Sequence, residues 1–331
     1  MSCDNMTKEN NLMKSAYVAF GQNKTLTEKS SSGGIFASLA NNILSNGGVV
    51  YGAAMMYEDD KLQCKHIRID KVDDLHLIQG SKYVHSRTSG VFQSVKKDLD
   101  SGLTVLFSGT SCQVFALKHF VGENEKLYTV DLVCHGVPKD NVFYDYIDYL
   151  ERKAHRRIVG MSFRSKRKYN LYILERNSVG KTSERVITSR KSAYYQMFLQ
   201  RAGYREACYN CRWASLAKPG NITLGDFIPR KDEVEKYGFD KSETYSSIIV
   251  HDSKGNTLIK TTPNLKLVQV TIDEMLSHHG NLKQPSSVTP KGKKLFFFYK
   301  KFGYGSVQRW IDLSNALRNI LRCITFRKRI K

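Results

Sequence analysis

Four of the seven cysteines stand beside glycines, polar residues or one another, in patterns suited to holding an inorganic centre. Cys112 lies in Ser-Gly-Thr-Ser-Cys-Gln (108–113) and Cys134 in Asp-Leu-Val-Cys-His-Gly-Val-Pro (131–138), while Cys208 and Cys211 form the hook Cys-Tyr-Asn-Cys-Arg-Trp. If the fold brings the three places together, they make a four-thiolate cage. Thiolate sulfur is the donor that structural zinc and iron–sulfur clusters both take. A lone Cys-x-x-Cys pair also serves dithiol redox work, but that chemistry wants the pair opening a helix after a strand, and here it follows a helical segment. Zinc usually recruits two close hooks, whereas ligands arriving singly from separate loops suit a bulkier cluster. Spacing alone leaves both metals open. The plainer alternative for Cys112 and Cys134 is burial as small apolar side chains. Their glycine neighbours and the adjacent Gln113 and His135 argue against it. Cys3, Cys64 and Cys323 have no such setting and are taken as ordinary cysteines.

The elements that must carry these residues follow from apolar periodicity. Residues 35, 36, 39, 40, 43 and 44 recur near the 3.6-residue period and predict a helix after Ser-Ser-Ser-Gly-Gly (30–34). Val49–Met55 predicts a buried strand, followed by a strand over 64–69, a short helix near 71–78, a loop over 79–88 and a helix over 88–100. Thr104–Phe107 and Tyr128–Val133 are short apolar runs, each ending at a cysteine loop that feeds a helix, over 111–120 and about 140–154. Such alternation argues for a parallel sheet covered on both faces, with ligand sites beyond the carboxyl ends of its strands. Cys112 and Cys134 both occupy such ends. Segments 157–163, 170–176 and 184–188 predict an antiparallel insertion, a helix over 192–203 delivers the cysteine hook, and 221–227 predicts a strand. Residues 246–250 and 257–259, joined by Asp-Ser-Lys-Gly-Asn, predict a hairpin. The fold class is therefore α/β: a parallel-rich sheet with helices on both faces, an antiparallel insertion and a basic C-terminal helical tail.

Composition narrows the function classes. The 331 residues are 41% apolar and 25% charged, ordinary for a soluble domain with its own core. No run approaches the roughly 18 apolar residues of a spanning helix, and the polar start lacks the core of an export signal. An odd cysteine count without such a signal points to reduced thiols and a cytoplasmic location rather than a disulfide framework. The net charge of +21 is localised. Residues 291–331 hold twelve basic residues against one acidic, and 151–168 hold eight against one, which leaves about +3 for the rest. A nearly neutral body with two basic patches and no recognised nucleic-acid module does not look like a nucleic-acid binder.

Two further loops have ligand-binding equipment. Ser32-Gly33-Gly34 before a helix can cradle an anion on backbone N–H groups, although the same residues also cap helices with no ligand. Gln79-Gly80-Ser81-Lys82-Tyr83-Val84-His85-Ser86 combines a glycine, a cation, hydroxyls and an aromatic ring, which suits a phosphate-bearing cofactor or simply a solvated loop.

Taken in order, Ser-x-Gly-Gly, Gly-Ser-Lys-Tyr-Val-x-Ser, Gly-Thr-x-Cys-Gln, Asp-Leu-Val-Cys-His-Gly-Val-Pro, Cys-x-x-Cys and Ile-Thr-Leu-Gly-Asp-Phe resemble the coenzyme F420 hydrogenase/dehydrogenase beta-subunit family over about residues 28–230. Members of that family are iron–sulfur flavoproteins that bind FAD and pass electrons between a [4Fe–4S] cluster, the flavin and a substrate. The resemblance implies cluster ligation by Cys112, Cys134, Cys208 and Cys211. It implies flavin contacts from Ser32, Gly33 and Gly34, from Gly80, Ser81, Lys82 and Tyr83, and from the backbone at Gly109 and Thr110. Lys82 and His135 are the candidate catalytic residues: Lys82 would stabilise a reduced, anionic flavin, and hydrogen bonds from His135 and Gln113 would tune a cluster. The implied activity is that of an FAD- and [4Fe–4S]-dependent oxidoreductase with a small-molecule substrate of unknown identity. The alternative is a non-catalytic, metal-stabilised binding or assembly protein built on the same fold; a zinc-stapled nucleic-acid binder is a third, weaker reading.

The chain also departs from the family pattern. Many relatives carry an N-terminal ferredoxin-like segment, whereas only Cys3 precedes Cys64 here, so electrons are expected from a separate donor protein such as a ferredoxin. Ser111 stands for a usual proline, Asn221 for an aspartate, and Ile228-Pro229 for Trp-Gly. The expected divisions are an N-terminal segment 1–27, partly flexible; an FAD/[4Fe–4S] domain 28–290; and the basic, aromatic tail 291–331. In the tail Trp310, Ile311, Leu313, Leu317, Ile320, Leu321 and Ile324 form a broad apolar face on a helix over about 306–324, with arginines around it. Such a helix either lies on an anionic membrane surface, at the inner face of the membrane, or packs on the body.

Overall fold

The computed structural model describes residues 14–164 and 169–329, the last nine as helical backbone. The chain begins with β1 (Ser15–Gly21), α1 (Lys24–Thr27), α2 (Ile35–Ser45), β2 (Val49–Glu58), β3 (Lys61–Ile69), α3 (Leu75–Ile78) and α4 (Val91–Asp100). It continues through β4 (Val105–Ser108), α5 (Ser111–Val121), β5 (Leu127–Leu132) and α6 (Asp140–Ala154). Next come β6 (Arg157–Ser162), β7 (Asn170–Arg176), β8 (Thr182–Thr188), α7 (Ala193–Leu199), α8 (Glu206–Tyr209), β9 (Ile222–Phe227) and α9 (Lys231–Tyr237). β10 (Tyr245–Val250), α10 (Ser253–Thr261), β11 (Leu265–Val270), α11 (Ile272–His278), α12 (Pro290–Phe302) and α13 (Tyr304–Arg329) complete it.

Eight strands form one sheet in the order β11-β1-β10-β9-β5-β4-β2-β3. Its centre is parallel, β2 to β4 to β5 to β9, so these four carboxyl ends share one edge. The flanks are antiparallel. Val105, Leu106 and Phe107 of β4 are fully buried, as expected for a strand covered on both faces. Alternate side chains go opposite ways. Val50, Leu106 and Val130 pack with Leu39 and Ile43 of α2 and Leu258 of α10. Val49, Tyr51, Val105 and Phe107 pack with Val95 and Leu99 of α4 and with Val114 and Leu117 of α5. Each such side chain taken out of water contributes roughly 1.5–3 kcal/mol. The insertion forms its own antiparallel sheet, β6-β7-β8, and shares a core with α6 and α7.

One expectation changes, and two further segments take a definite place. The hairpin over 246–259 is instead a strand followed by a helix. β10 already has β1 and β9 on its two edges, so no partner strand fits there. Asp252 accepts a hydrogen bond from Gly255 N at 2.8 Å and starts α10 as its N-cap. In the leading segment, residues 15–21 are a sheet strand, with Ala16, Val18 and Ala19 buried. The C-terminal portion contributes to the core. Leu295 and Tyr299 of α12 and Tyr304, Val307 and Ile311 of α13 pack with Tyr146, Ile147, Leu150 and Tyr194. Tyr299 donates to Asp145 Oδ2 (2.6 Å), and Gln308 donates to Lys191 O (2.7 Å). Among the described residues no helix is long and apolar enough to cross a membrane.

Candidate cofactor site

The cysteine loops leave the sheet at the shared carboxyl edge. After β4 the chain turns through Gly109 and Thr110, and Thr110 caps α5: its N–H donates to Gln113 Oε1 at 3.0 Å. Cys112 therefore sits in the first helical turn, exposed, with its sulfur 3.1 Å from Thr110 Oγ1. After β5, Val133 N donates to Leu224 O (2.8 Å) and prolongs the pairing with β9 before the backbone bends at Cys134. Gly136 N donates to Cys134 Sγ at 3.3 Å.

The hook reaches this loop through backbone lacing. Pro138 and Tyr204 form an isolated antiparallel bridge, and Arg205 N donates to Val137 O at 3.0 Å. Tyr209 closes the turn by donating from its hydroxyl to Arg201 O at 2.6 Å. Gly136 is required where the two segments cross. Its φ is +107°, and a Cβ there would lie 2.5 Å from the Tyr204 ring and 3.0 Å from Cys208 Cβ.

Electrostatic coupling links all four cysteines. Burial pushes the Cys134 thiol up to about 12, with Cys208 and Cys112 adding to the rise while Gly136 N–H and Lys218 oppose it. Burial likewise raises Cys208, and Cys112 and Cys211 raise it further. Three remote segments thus supply one neighbourhood of sulfur. Among the described residues no group of three or more His, Cys, Asp or Glu side chains is drawn tightly enough to hold a metal ion. A single zinc, with sulfur at about 2.3 Å, requires that closure. A polynuclear cluster, each metal taking one thiolate, accepts a wider spread of sulfur. The donor set fits such a group: soft ligands, little countercharge, and a demand for cationic charge that would deprotonate the thiols outright. Cys64 is different, 2% exposed inside the core of β3, its thiol raised to about 11 by burial. Cys3 and the Cys323 side chain lie outside the described residues.

The second set of loops lies along the same edge. Ser81 N donates to Ser31 Oγ (2.8 Å), and Gln79 Nε2 donates to Leu26 O (2.7 Å). His66 bridges Ser86 Oγ (2.8 Å) and Ser108 O (2.9 Å), and burial holds its pKa down at about 4. The loop 79–88, the serine loop and Gly109–Thr110 are therefore tied together. Lys82 donates to Gln79 O at 2.7 Å, and burial lowers its pKa to about 8. The Tyr83 ring stacks on Phe198 with centroids 4.3 Å apart. Ser32 Oγ donates to Tyr245 O and Gly33 N to Ser246 Oγ (3.0 Å), so these two residues strap the loop onto β10. A Cβ on Gly33 would come within 2.5 Å of Ala19 O. The N–H that an anion cradle would use at Gly33 is thus committed to the sheet. Gln113 is also committed: its Nε2 donates to Ser86 O at 2.8 Å while its Oε1 serves the cap, so it positions the loop and does not tune a cluster directly.

Sequence reasoning missed a polar group near His135. Arg164, nearly buried, pairs with Asp226 at the end of β9 and lies over the Tyr169 ring, 4.7 Å from its centroid. Asp226 acts electrostatically on His135 and His279. Partial desolvation, helped by Arg201, keeps His135 below its ordinary pKa; burial takes His279 to about 4, and its Nε2 lies 2.7 Å from Ser247 Oγ. The Gly-Asp ending of the 221–227 strand was the one available signal. Arg164 carried none, because it opens a run of cations that reads as a charged patch. Asn221, where the family pattern has an aspartate, is explained locally. Its Oδ1 accepts from Thr129 N (2.7 Å), and its Nδ2 donates to Asp252 Oδ2 (2.7 Å), a bond that an ionised carboxylate could not make.

The fold resembles a solved chain from the xenon-derivatised F420-reducing [NiFe] hydrogenase complex of Methanosarcina barkeri, at a TM-score of 0.51 and 16% identity over 88% of this chain and 94% of that one. Likeness at that identity is a likeness of fold. No curated protein matches the chain. Two family models describe the beta subunit of coenzyme F420 hydrogenase/dehydrogenase. The one for its N-terminal part matches residues 16–93, and the one for its C-terminal part matches residues 102–273. With both halves matched in order over most of its length, the chain belongs to the coenzyme F420 hydrogenase/dehydrogenase beta-subunit family.

Proposed function

We propose that this chain is an iron–sulfur flavoprotein oxidoreductase that passes electrons between a [4Fe–4S] cluster, FAD and a small-molecule substrate, in a domain spanning about 28–290. What supports the proposal is that Cys112, Cys134, Cys208 and Cys211, from three separate segments, lie near enough to act electrostatically on one another. Family membership supports a redox role, and the hydrogenase complex containing the similar chain supports work with a protein partner, here a separate electron donor such as a ferredoxin. In this reading the four cysteines hold the cluster, and Ser32, Gly34, Gly80, Ser81, Lys82, Tyr83, Gly109 and Thr110 line the flavin, with Gly33 strapping the serine loop to β10.

When bound, the cluster would supply one-electron transfer and the flavin two-electron transfer, either as a hydride or as two electrons with a proton. The chain's own residues prepare the site. The laced loops at Val137 and Arg205 hold Cys134 and Cys208 in a half-buried setting. Lys82, with a pKa near 8, keeps a proton at Nζ that it can release close to neutral pH. His135, held below its ordinary pKa, is neutral there and can accept one. The Arg164–Asp226 pair acts electrostatically on Tyr83, and Asp226 acts on His135 as well.

Oxygen-free purification with iron, labile sulfide and flavin assays tests the proposal. Near four irons per chain plus FAD are expected in the native protein. Cys208→Ala should lose most of the iron and Cys64→Ala should keep it. Equal iron in the two variants, or zinc in place of iron, would sink the ligand assignment.

A further inference from the structure

The last helix outruns the body it packs on. Ile311 is buried and Asn315 still donates to Arg190 O at 2.9 Å, but Leu313, Leu317 and Ile320 are 65%, 61% and 56% exposed. Steps of four and three residues align them in one stripe along α13. On the neighbouring α12, Phe297 and Phe302 are also exposed, and Lys301 Nζ sits 5.8 and 5.3 Å from their ring centroids. Exposed apolar surface on this scale marks an interaction face.

Charge selects the occupant. Residues 291–331 carry twelve basic side chains and a single acidic one, Asp312. Lys293, Lys294, Lys300, Lys301, Arg309 and Arg318 are all exposed on these two helices. A second copy would bring like charge against like charge across the stripe. An anionic bilayer satisfies both features, with acyl chains for the stripe and headgroup phosphates for the lysines and arginines. With no helix among the described residues long and apolar enough to span, these helices would lie on such a surface instead of crossing it. We propose that α12 and the outer half of α13 form a peripheral anchor for a negatively charged membrane surface. This inference is independent of the redox proposal.

Co-sedimentation of the full chain with vesicles decides it. Binding is expected to vesicles of phosphatidylcholine mixed with phosphatidylglycerol, to weaken with added salt, and to be absent for phosphatidylcholine alone. The double change Leu317→Glu and Ile320→Glu should lower partitioning roughly tenfold or more without altering the melting temperature. Arg309→Glu with Arg318→Glu, which spares the stripe, should weaken it as well. No sedimentation with the anionic vesicles, or unchanged sedimentation of both variants, would overturn the proposal. So would a stable wild-type dimer in the ultracentrifuge that the stripe variant splits, since the face would then belong to a second copy.

Discussion

Gly136→Ala puts the crossing of the Cys134 loop and the cysteine hook to a direct test. Two costs fall on this one position. The φ of +107° lies outside the regions that a side chain adopts readily, a strain of about 1–3 kcal/mol. The new methyl would also enter space held by the Tyr204 ring at 2.5 Å and Cys208 Cβ at 3.0 Å. Tyr204 cannot swing away freely, because it is 1% exposed and its hydroxyl donates to Phe198 O at 2.8 Å. Relieving such overpacking costs a further 1–3 kcal/mol or about that. The sum is a loss of roughly 2–6 kcal/mol. Gly122→Ala isolates the backbone part, since Gly122 also has positive φ (+81°) but nothing within 4 Å of its would-be Cβ. Urea unfolding of the metal-free proteins measures both. Gly136→Ala should lose clearly more stability than Gly122→Ala, and anaerobic iron retention should fall only in the former because Cys208 is the displaced neighbour. Equal losses in the two variants would show that the loop and the hook do not press on each other, and the sulfur neighbourhood would lose its structural basis.

Two further outcomes are expected. Asn221→Asp replaces a donor with a second carboxylate facing Asp252, so the protein should lose about 2–4 kcal/mol near neutral pH, less in acid, and Asp252→Asn should restore most of it; an additive double variant in a urea double-mutant cycle would refute the bond. His66 and His251 are buried neutral, with pKa values near 4 and near 3, while the unfolded chain takes up their protons near 6.5. Their stabilisation is complete above about pH 6.5 and drains as pH falls toward the folded values, at up to about 1.4 kcal/mol per pH unit for each. Denaturant midpoints measured from neutral pH down to about pH 4.5 should therefore drop steadily, and a flat profile would contradict the burial of these rings.

Much of the fold was legible in local pattern. The helix over 35–45 and the strands ending at Ser108 and Leu132 appear where period and turn chemistry put them, because apolar spacing must match the face that is buried. The antiparallel insertion was legible for the same reason. Failures came where the deciding contact was distant. Leu258 and Ile259 fit a hairpin strand as well as a helix, and the choice fell to Asp252 as cap and to β1 and β9 occupying both edges of β10. The role of Gln113 was likewise set by Ser86, a neighbour only after folding.

What the amino-acid order settled alone was the inventory: which thiols stand at strand ends, which loops carry glycine, serine and lysine, and where the positive charge is stored. Those are properties of residue type and short-range spacing. Whether Cys112, Cys134 and the 208/211 hook share a neighbourhood was decided by a parallel β4–β5–β9 centre and by the Pro138–Tyr204 bridge, contacts that span tens of residues. The same holds for the Arg164–Asp226 pair and for the division of α13 into a buried face and an open stripe. Periodicity tells a helix that it has an apolar side; only the rest of the molecule determines how much of that side is covered.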